Sequence, residues 1–247
     1  MIPLEDVKGL STMSSAIRGV TNYYDWIYST LKPFLGLSIM EIGPGYGNMA
    51  SQIAKDGKKY AGVDSDAGII QRLNATPHGN GIQFLCGDVT SASKAVEYRQ
   101  RGIDTILSTN VLEHIQEDSN HVRLAARCAP GGKFVFFVPA IPFLYGSMDR
   151  EAGHFRRYTK SSMKVVLDKA GVELIHLTYF NFTGALAWFA AAKVLKVKLN
   201  SEETNSSISV YDRLVIPLSR GIDPALKWMG GQSLIAVAKI PVTAEHW

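Results

Sequence analysis

Residues 37–48 read LSIMEIGPGYGN. An apolar run broken by one acid, Glu41, passes directly into Gly43, Gly45 and Gly47, and the residues that follow, Asn48 to Lys55, have a helical pattern. A strand that enters a helix through glycines opens a βαβ unit. Residues without a Cβ permit left-handed backbone there and let a large, flat ligand lie against the chain. Working outward, the same alternation recurs. Strands are expected at Leu37–Ile42, Tyr60–Asp64, Ile82–Leu85, Ile103–Ser108, Lys133–Val138, Val172–Tyr179 and Ser233–Ile240. Helices are expected at Asn48–Lys55, Ala67–Leu73, Ser91–Gln100, Ser119–Cys128 and Thr159–Ala170, with Pro130, Gly131 and Gly132 stopping the fourth. That order predicts an α/β fold around a parallel sheet.

The chain has 247 residues, enough to bury a core as one domain. Its 26 Lys and Arg against 22 Asp and Glu are scattered, and a net charge of +4 without basic tracts is a poor footprint for nucleic acid. Two cysteines, Cys86 and Cys128, cannot build a disulfide framework. Cys86 reads as a small buried residue rather than a nucleophile, because no histidine follows it closely. The opening MIPLEDVKGL lacks a basic-then-apolar leader, so a cytoplasmic setting is expected. The most membrane-like stretch, Ala185 to Ala192, is well short of the roughly 20 apolar residues a spanning helix needs. No transmembrane segment is expected, although peripheral membrane contact stays open.

Glycine spacing narrows the ligand. A dinucleotide fingerprint needs G-x-G-x-x-G, but counting from Gly43 and Gly45 the third position is Asn48, which disfavours NAD. Asp64 ends the next strand, 17 residues past Gly47, where an acid can accept both hydroxyls of a ribose. Asp88 follows the third strand and should face the same crevice. Each acid has a plainer alternative: Asp64 or Asp66 as a helix cap, Asp88 as the start of a turn.

The ordered set EIGPGYG, VDSD, GDV, TNVLEHI and PGGKFVFFVP resembles the class I S-adenosylmethionine-dependent methyltransferases over about residues 37–140. The resemblance implies a doubly wound, seven-stranded, mostly parallel sheet whose last strand runs antiparallel. It implies S-adenosyl-L-methionine as cofactor, with Glu41, Gly43, Gly45 and Gly47 at its methionine end. Asp64 and the adjacent Ser65 would face the ribose, Asp88 and Val89 the adenine, and Asn110 the reactive sulfonium. Residues 144–159, LYGSMDREAGHFRRYT, resemble a bacterial subgroup associated with glycosyltransferases and with cell-surface or secondary-metabolite pathways. The implied acceptor is a small-molecule or lipid-linked metabolite. Nucleic-acid amino-methylating relatives resemble D-P-P-Y or N-P-P-Y after the fourth strand, where this chain reads TNVLEH. An NAD-dependent oxidoreductase and a non-catalytic cofactor-binding protein stay open as alternatives.

Methyl transfer from a sulfonium is an in-line displacement, so holding donor and acceptor in line supplies much of the catalysis and requires no metal. A hydroxyl or protonated amine acceptor must also lose a proton, a task suited to histidine at neutral pH. His114 and His154 are the candidate catalytic residues. His114 can instead be a packed residue of its turn, and Asn110-x-x-Glu113 resembles a capping box. Around His154, Tyr145, Asp149, Arg156, Arg157 and Tyr158 are candidate acceptor contacts. The arginines suit an anionic group, and the competing reading ties them to Asp149 and Glu151 as a loop clasp.

The expected organisation is one methyltransferase-like domain over 1–247. It comprises an N-terminal helical cap (1–36), a cofactor-binding core (37–179), a helical insertion or lid (180–232), and a last strand with a tail (233–247). The aromatic cluster Tyr23, Tyr24, Trp26, Ile27 and Tyr28 should pack on the core, with ligand contact as the alternative. Thr183–Lys198 reads as an apolar helix and Ser201–Ser207 as a polar loop.

Overall fold

The computed structural model describes residues 19–79, 81–194 and 209–247. The expected leader-free opening and the polar loop at Ser201–Ser207 lie outside the described residues. The seven strands are β1 (Ser38–Ile42), β2 (Lys59–Asp64), β3 (Ile82–Cys86), β4 (Thr105–Thr109), β5 (Lys133–Pro139), β6 (Glu173–Phe180) and β7 (Ser233–Lys239). They form one sheet in the order β3-β2-β1-β4-β5-β7-β6. The first five pair in parallel, and β7 runs antiparallel between β5 and β6.

Helices α1 (Thr21–Leu31), α2 (Asn48–Lys55), α3 (Ala67–Asn74), α4 (Ala92–Arg99), α5 (Asp118–Ala126), α6 (Ser147–Glu151), α7 (Lys160–Ala170), α8 (Phe182–Trp188) and α9 (Ile216–Leu226) surround the sheet. Side chains alternate across a strand, so β5 sends Phe134, Phe136 and Val138 to one face and Val135 and Phe137 to the other. The first face is covered by α4, α5 and α7, the second by α1, α2 and α3. Because β1 is followed by β2 on one side and β4 lies on the other, strand order reverses between β1 and β4. Ligands of such sheets bind outside the carboxyl ends of the strands at that switch point.

The aromatic cluster packs as expected: Trp26, Ile27 and Tyr28 are buried, with Trp26 4.3 Å from Phe180 between ring centroids. The first-turn amides of α1 find a distant acceptor, since Asn22 and Tyr23 donate their N–H groups to the Asp212 carboxylate at 3.2 and 2.8 Å. A carboxylate there satisfies orphan amides and complements the helix dipole. Cys86 corrects its expectation. It ends the edge strand β3 and is exposed, whereas Cys128 is buried. Thr183–Lys198 is also only partly as expected: α8 gives way to a π-helical stretch over Phe189–Val194, and residues 195–198 lie outside the described residues. Among the described residues no helix is long and apolar enough to cross a membrane.

Candidate active site

The carboxyl end of β1 delivers a buried acid and three left-handed glycines. Glu41 is 2% exposed and accepts a hydrogen bond from the Tyr60 hydroxyl of β2. Burial pushes its carboxyl up to about 7, against that bond. Gly43, Gly45 and Gly47 have φ of 66°, 53° and 77°, values that cost a residue with a side chain. At Gly43 the reason is also spatial. A Cβ there would lie 2.6 Å from Val111 Cγ2, so the glycine loop presses against the segment leaving β4. Arg72 of α3 bonds the Gly45 carbonyl at 3.0 Å and lies over the Tyr46 ring.

Asp64 Oδ1 at the end of β2 accepts the Asp66 N–H at 2.9 Å, and burial raises its pKa. Asp66 is the helix cap: it accepts from Gly68 N at 2.8 Å and Ile69 N at 3.3 Å. Ser65 lies between them and accepts a weak contact from the Cys86 thiol at 3.8 Å. Asp88 begins a turn, its Oδ1 accepting from the Thr90 N–H and hydroxyl at 2.8 and 2.7 Å, and it is otherwise exposed. Val89 is 4% exposed and belongs to the core, which leaves its backbone rather than its side chain to meet a ligand.

Beyond β4, Asn110 adopts φ of 52° and donates its N–H to Phe137 O at 2.7 Å. The expected capping box is therefore not formed. Its Glu113 sits in a 3-10 turn, Leu112–His114, fully buried, and neither carboxylate oxygen has a hydrogen-bond partner among the described residues. Burial lifts that carboxyl to about 8. His114 lies edge-on to His154, with ring centroids 4.7 Å apart. Burial, reinforced by His154, lowers the pKa of His114 to about 4.

The loop after β5 supplies the second histidine. Its two ends are zipped by Ile141 N to Tyr158 O at 2.9 Å and Tyr158 N to Pro139 O at 2.8 Å. Asp149, fully buried, sits at its centre. Its Oδ1 meets His154 Nδ1 at 3.0 Å and Arg157 Nε at 2.7 Å, and its Oδ2 accepts Gly146 N at 2.9 Å. Burial works to raise its pKa, yet the bonds from His154 and Arg157 outweigh it and hold the carboxyl below its ordinary range. Arg157 also donates to Ala140 O at 3.1 Å and stacks over Trp188.

A methyltransferase-domain family matches residues 21–177, nearly two thirds of the chain. This chain belongs to that family. It is 35% identical to the mitochondrial ubiquinone biosynthesis O-methyltransferase of Arabidopsis thaliana over 112 residues, 43% of this chain and 34% of that protein. The chain therefore spans about a third of the length of that relative. Among solved structures, the fold is shared with an S-adenosylmethionine-dependent methyltransferase of Mesorhizobium loti. That match has a TM-score of 0.56 and 16% identity, and covers 87% of this chain and 99% of the other. It is also shared with geranyl diphosphate C-methyltransferase of Streptomyces coelicolor, solved with S-adenosyl-L-homocysteine (TM-score 0.55, 9% identity, covering 91% and 83%).

This chain's membership of the methyltransferase-domain family points to S-adenosylmethionine rather than NAD as its cofactor. Its residues fit that cofactor. The glycine loop is a bare left-handed cradle at the switch point, and the buried, uncharged-leaning Glu41 is the kind of acid that a bound ammonium would ionise. The acceptor-side candidates divide. His114 and His154 come together, and Tyr145 reaches the same loop by donating its hydroxyl to His154 O at 2.7 Å. Arg156 turns away to Asp118 Oδ2 and Gln116 O, both at 2.8 Å. Tyr158 is 1% exposed under the turn and bonds Asp118. Of the competing clasp, which ties the arginines to Asp149 and Glu151, the Arg157–Asp149 pair forms, whereas Arg156 pairs with Asp118. Sequence reading missed two residues, Tyr60, whose hydroxyl bonds Glu41, and Glu113, which was assigned to a cap. A tyrosine inside a strand carries no periodic signal of that kind.

Proposed function

We propose that this methyltransferase alkylates a small-molecule or lipid-linked metabolite, with His114 and His154 assisting loss of the acceptor's proton. Bound S-adenosylmethionine supplies a methyl group on a positively charged sulfur. Glu41 with Gly43, Gly45 and Gly47 holds the methionine end, Asp64 and Ser65 the ribose, Asp88 and the Val89 backbone the adenine, and Asn110 borders the methyl. The whole of 1–247 serves this one site. The stretch LYGSMDREAGHFRRYT supports placement with the cell-surface and secondary-metabolite subgroup, in a cytoplasmic setting and without nucleic acid as acceptor. The observation that carries the reading is the meeting of His114, on the segment that abuts the glycine loop, with His154 of the 139–158 loop, their ring centroids 4.7 Å apart.

Proximity and alignment account for most of the rate, and proton removal by a positioned group adds about 10²–10⁴-fold. His154→Ala should therefore cut turnover by at least about 10²-fold while S-adenosylhomocysteine affinity stays within twofold of wild type (an order-of-magnitude bound). A mass-spectrometric screen for metabolites that gain one methyl provides the acceptor, and calorimetry the affinity. Full turnover in the variant would remove the histidine pair from the reaction.

A further inference from the structure

We propose that Glu113, His114 and His154 bind one first-row divalent cation on the acceptor side of the cleft. One ligand atom from each lies within 4.8 Å of the others. Glu113 is fully buried with both carboxylate oxygens unbonded among the described residues, and His154 Nε2 lies 3.9 Å from its Oε1. A buried carboxylate without a partner is costly, and a cation is the partner that answers it. Both imidazoles are also oriented as ligands are. His154 has its Nδ1 on the Asp149 carboxylate at 3.0 Å, leaving Nε2 toward Glu113, and His114 bonds the Gly153 backbone through one ring nitrogen. Holding the second nitrogen in this way fixes the tautomer and presents a lone pair.

Two imidazoles and one carboxylate favour Zn²⁺, Co²⁺, Mn²⁺ or Fe²⁺ over Mg²⁺ or Ca²⁺, and three protein ligands leave a position open. Metal–ligand distances of about 2.1 Å put ligand atoms about 3.4 Å apart, so the three side chains close inward by about 1 Å. The open position would take an acceptor oxygen, which makes a hydroxyl the acceptor class. There the O–H bond breaks with its proton passing to water, the oxygen lone pair forms the new C–O bond, and the electrons of the S–CH₃ bond remain on sulfur. The inference rests on the histidine pair above, gives it the role of ligand in place of that of base, and revises the expectation from sequence that no metal takes part.

The test titrates the full chain, stripped with EDTA and returned to chelator-free buffer, with Co²⁺, whose visible absorption reports coordination number. One equivalent should bind with the spectrum of a four- or five-coordinate site. Glu113→Gln and His154→Ala should weaken binding by more than about 100-fold, and Asp149→Asn, which only orients His154, by about 10–100-fold. Unchanged S-adenosylhomocysteine affinity certifies each variant as folded. Should a variant fail to fold, wild type still decides, because Co²⁺ must raise its Tm. No saturable binding up to millimolar Co²⁺, no rise in Tm, or equal binding in Glu113→Gln and His154→Ala would overturn the site. Methyl transfer that continues at full rate after EDTA removes a bound cation would overturn the cation's role at the acceptor and return proton removal to the free histidine pair.

Discussion

Glu41 links cofactor binding to pH. Its folded pKa of about 7 lies above the ordinary 4.5, so its contribution to stability is full below about pH 4.5 and is lost as pH rises through 7. Contact with a cofactor ammonium favours the ionised form. S-adenosylhomocysteine affinity should therefore fall as pH drops below about 7, by up to about tenfold per pH unit. Glu41→Gln should flatten that profile and raise Tm at pH 8. Calorimetry between pH 5.5 and 8 checks the first effect and thermal melts the second; a flat wild-type profile would move Glu41 away from the methionine end. At this scale the sequence was legible where backbone geometry dictates residue type, as at Gly43, Gly45 and Gly47. It was illegible at Glu113, because the same Asn-x-x-Glu spacing serves a cap when helical and a buried, unbonded acid when the turn is 3-10.

Among the elements, the 139–158 loop gains its order from a buried ion pair rather than from an apolar core. Asp149 and Arg157 are 0% and 1% exposed at the side chain and lie 2.7 Å apart. Removing one member strands the other. Asp149→Ala should cost about 3–5 kcal/mol of stability, whereas the volume-matched double change Asp149→Leu with Arg157→Met should cost much less. Urea unfolding of the three proteins measures both, and a single variant as stable as the double would show that the clasp is not coupled. The strands were read to within a residue or two because short apolar runs bounded by turn residues leave little choice. The clasp was named only as an alternative, since a sequence cannot say whether Arg157 faces Asp149 or a ligand.

For the molecule as a whole, Val210, Leu214, Leu218 and Ile222 recur every four residues on the helical segment that runs into α9, and all are exposed, Leu218 to 73%. With Arg213 and Arg220 interspersed, this stripe supports the lipid-linked form of the proposed acceptor through interfacial contact. Leu214→Glu with Leu218→Glu should reduce binding to anionic phospholipid vesicles by at least about tenfold and leave S-adenosylhomocysteine affinity unchanged. Vesicle flotation measures the first; equal flotation of variant and wild type would leave a water-soluble acceptor as the surviving form. The seam through β7 also sets an order of events. Strand β6 touches β5 only through β7, and α1 takes its amide partner from Asp212, 190 residues downstream of Asn22. On the ribosome, β1 to β5 can pair while the chain is still emerging, but the sheet stays open at one side and the strap of α1 stays loose until Asp212 and β7 are made. Contacts of such long sequence separation form late and slowly, so the β7–β6 flank and the α1 strap close onto a cleft whose strands are already paired.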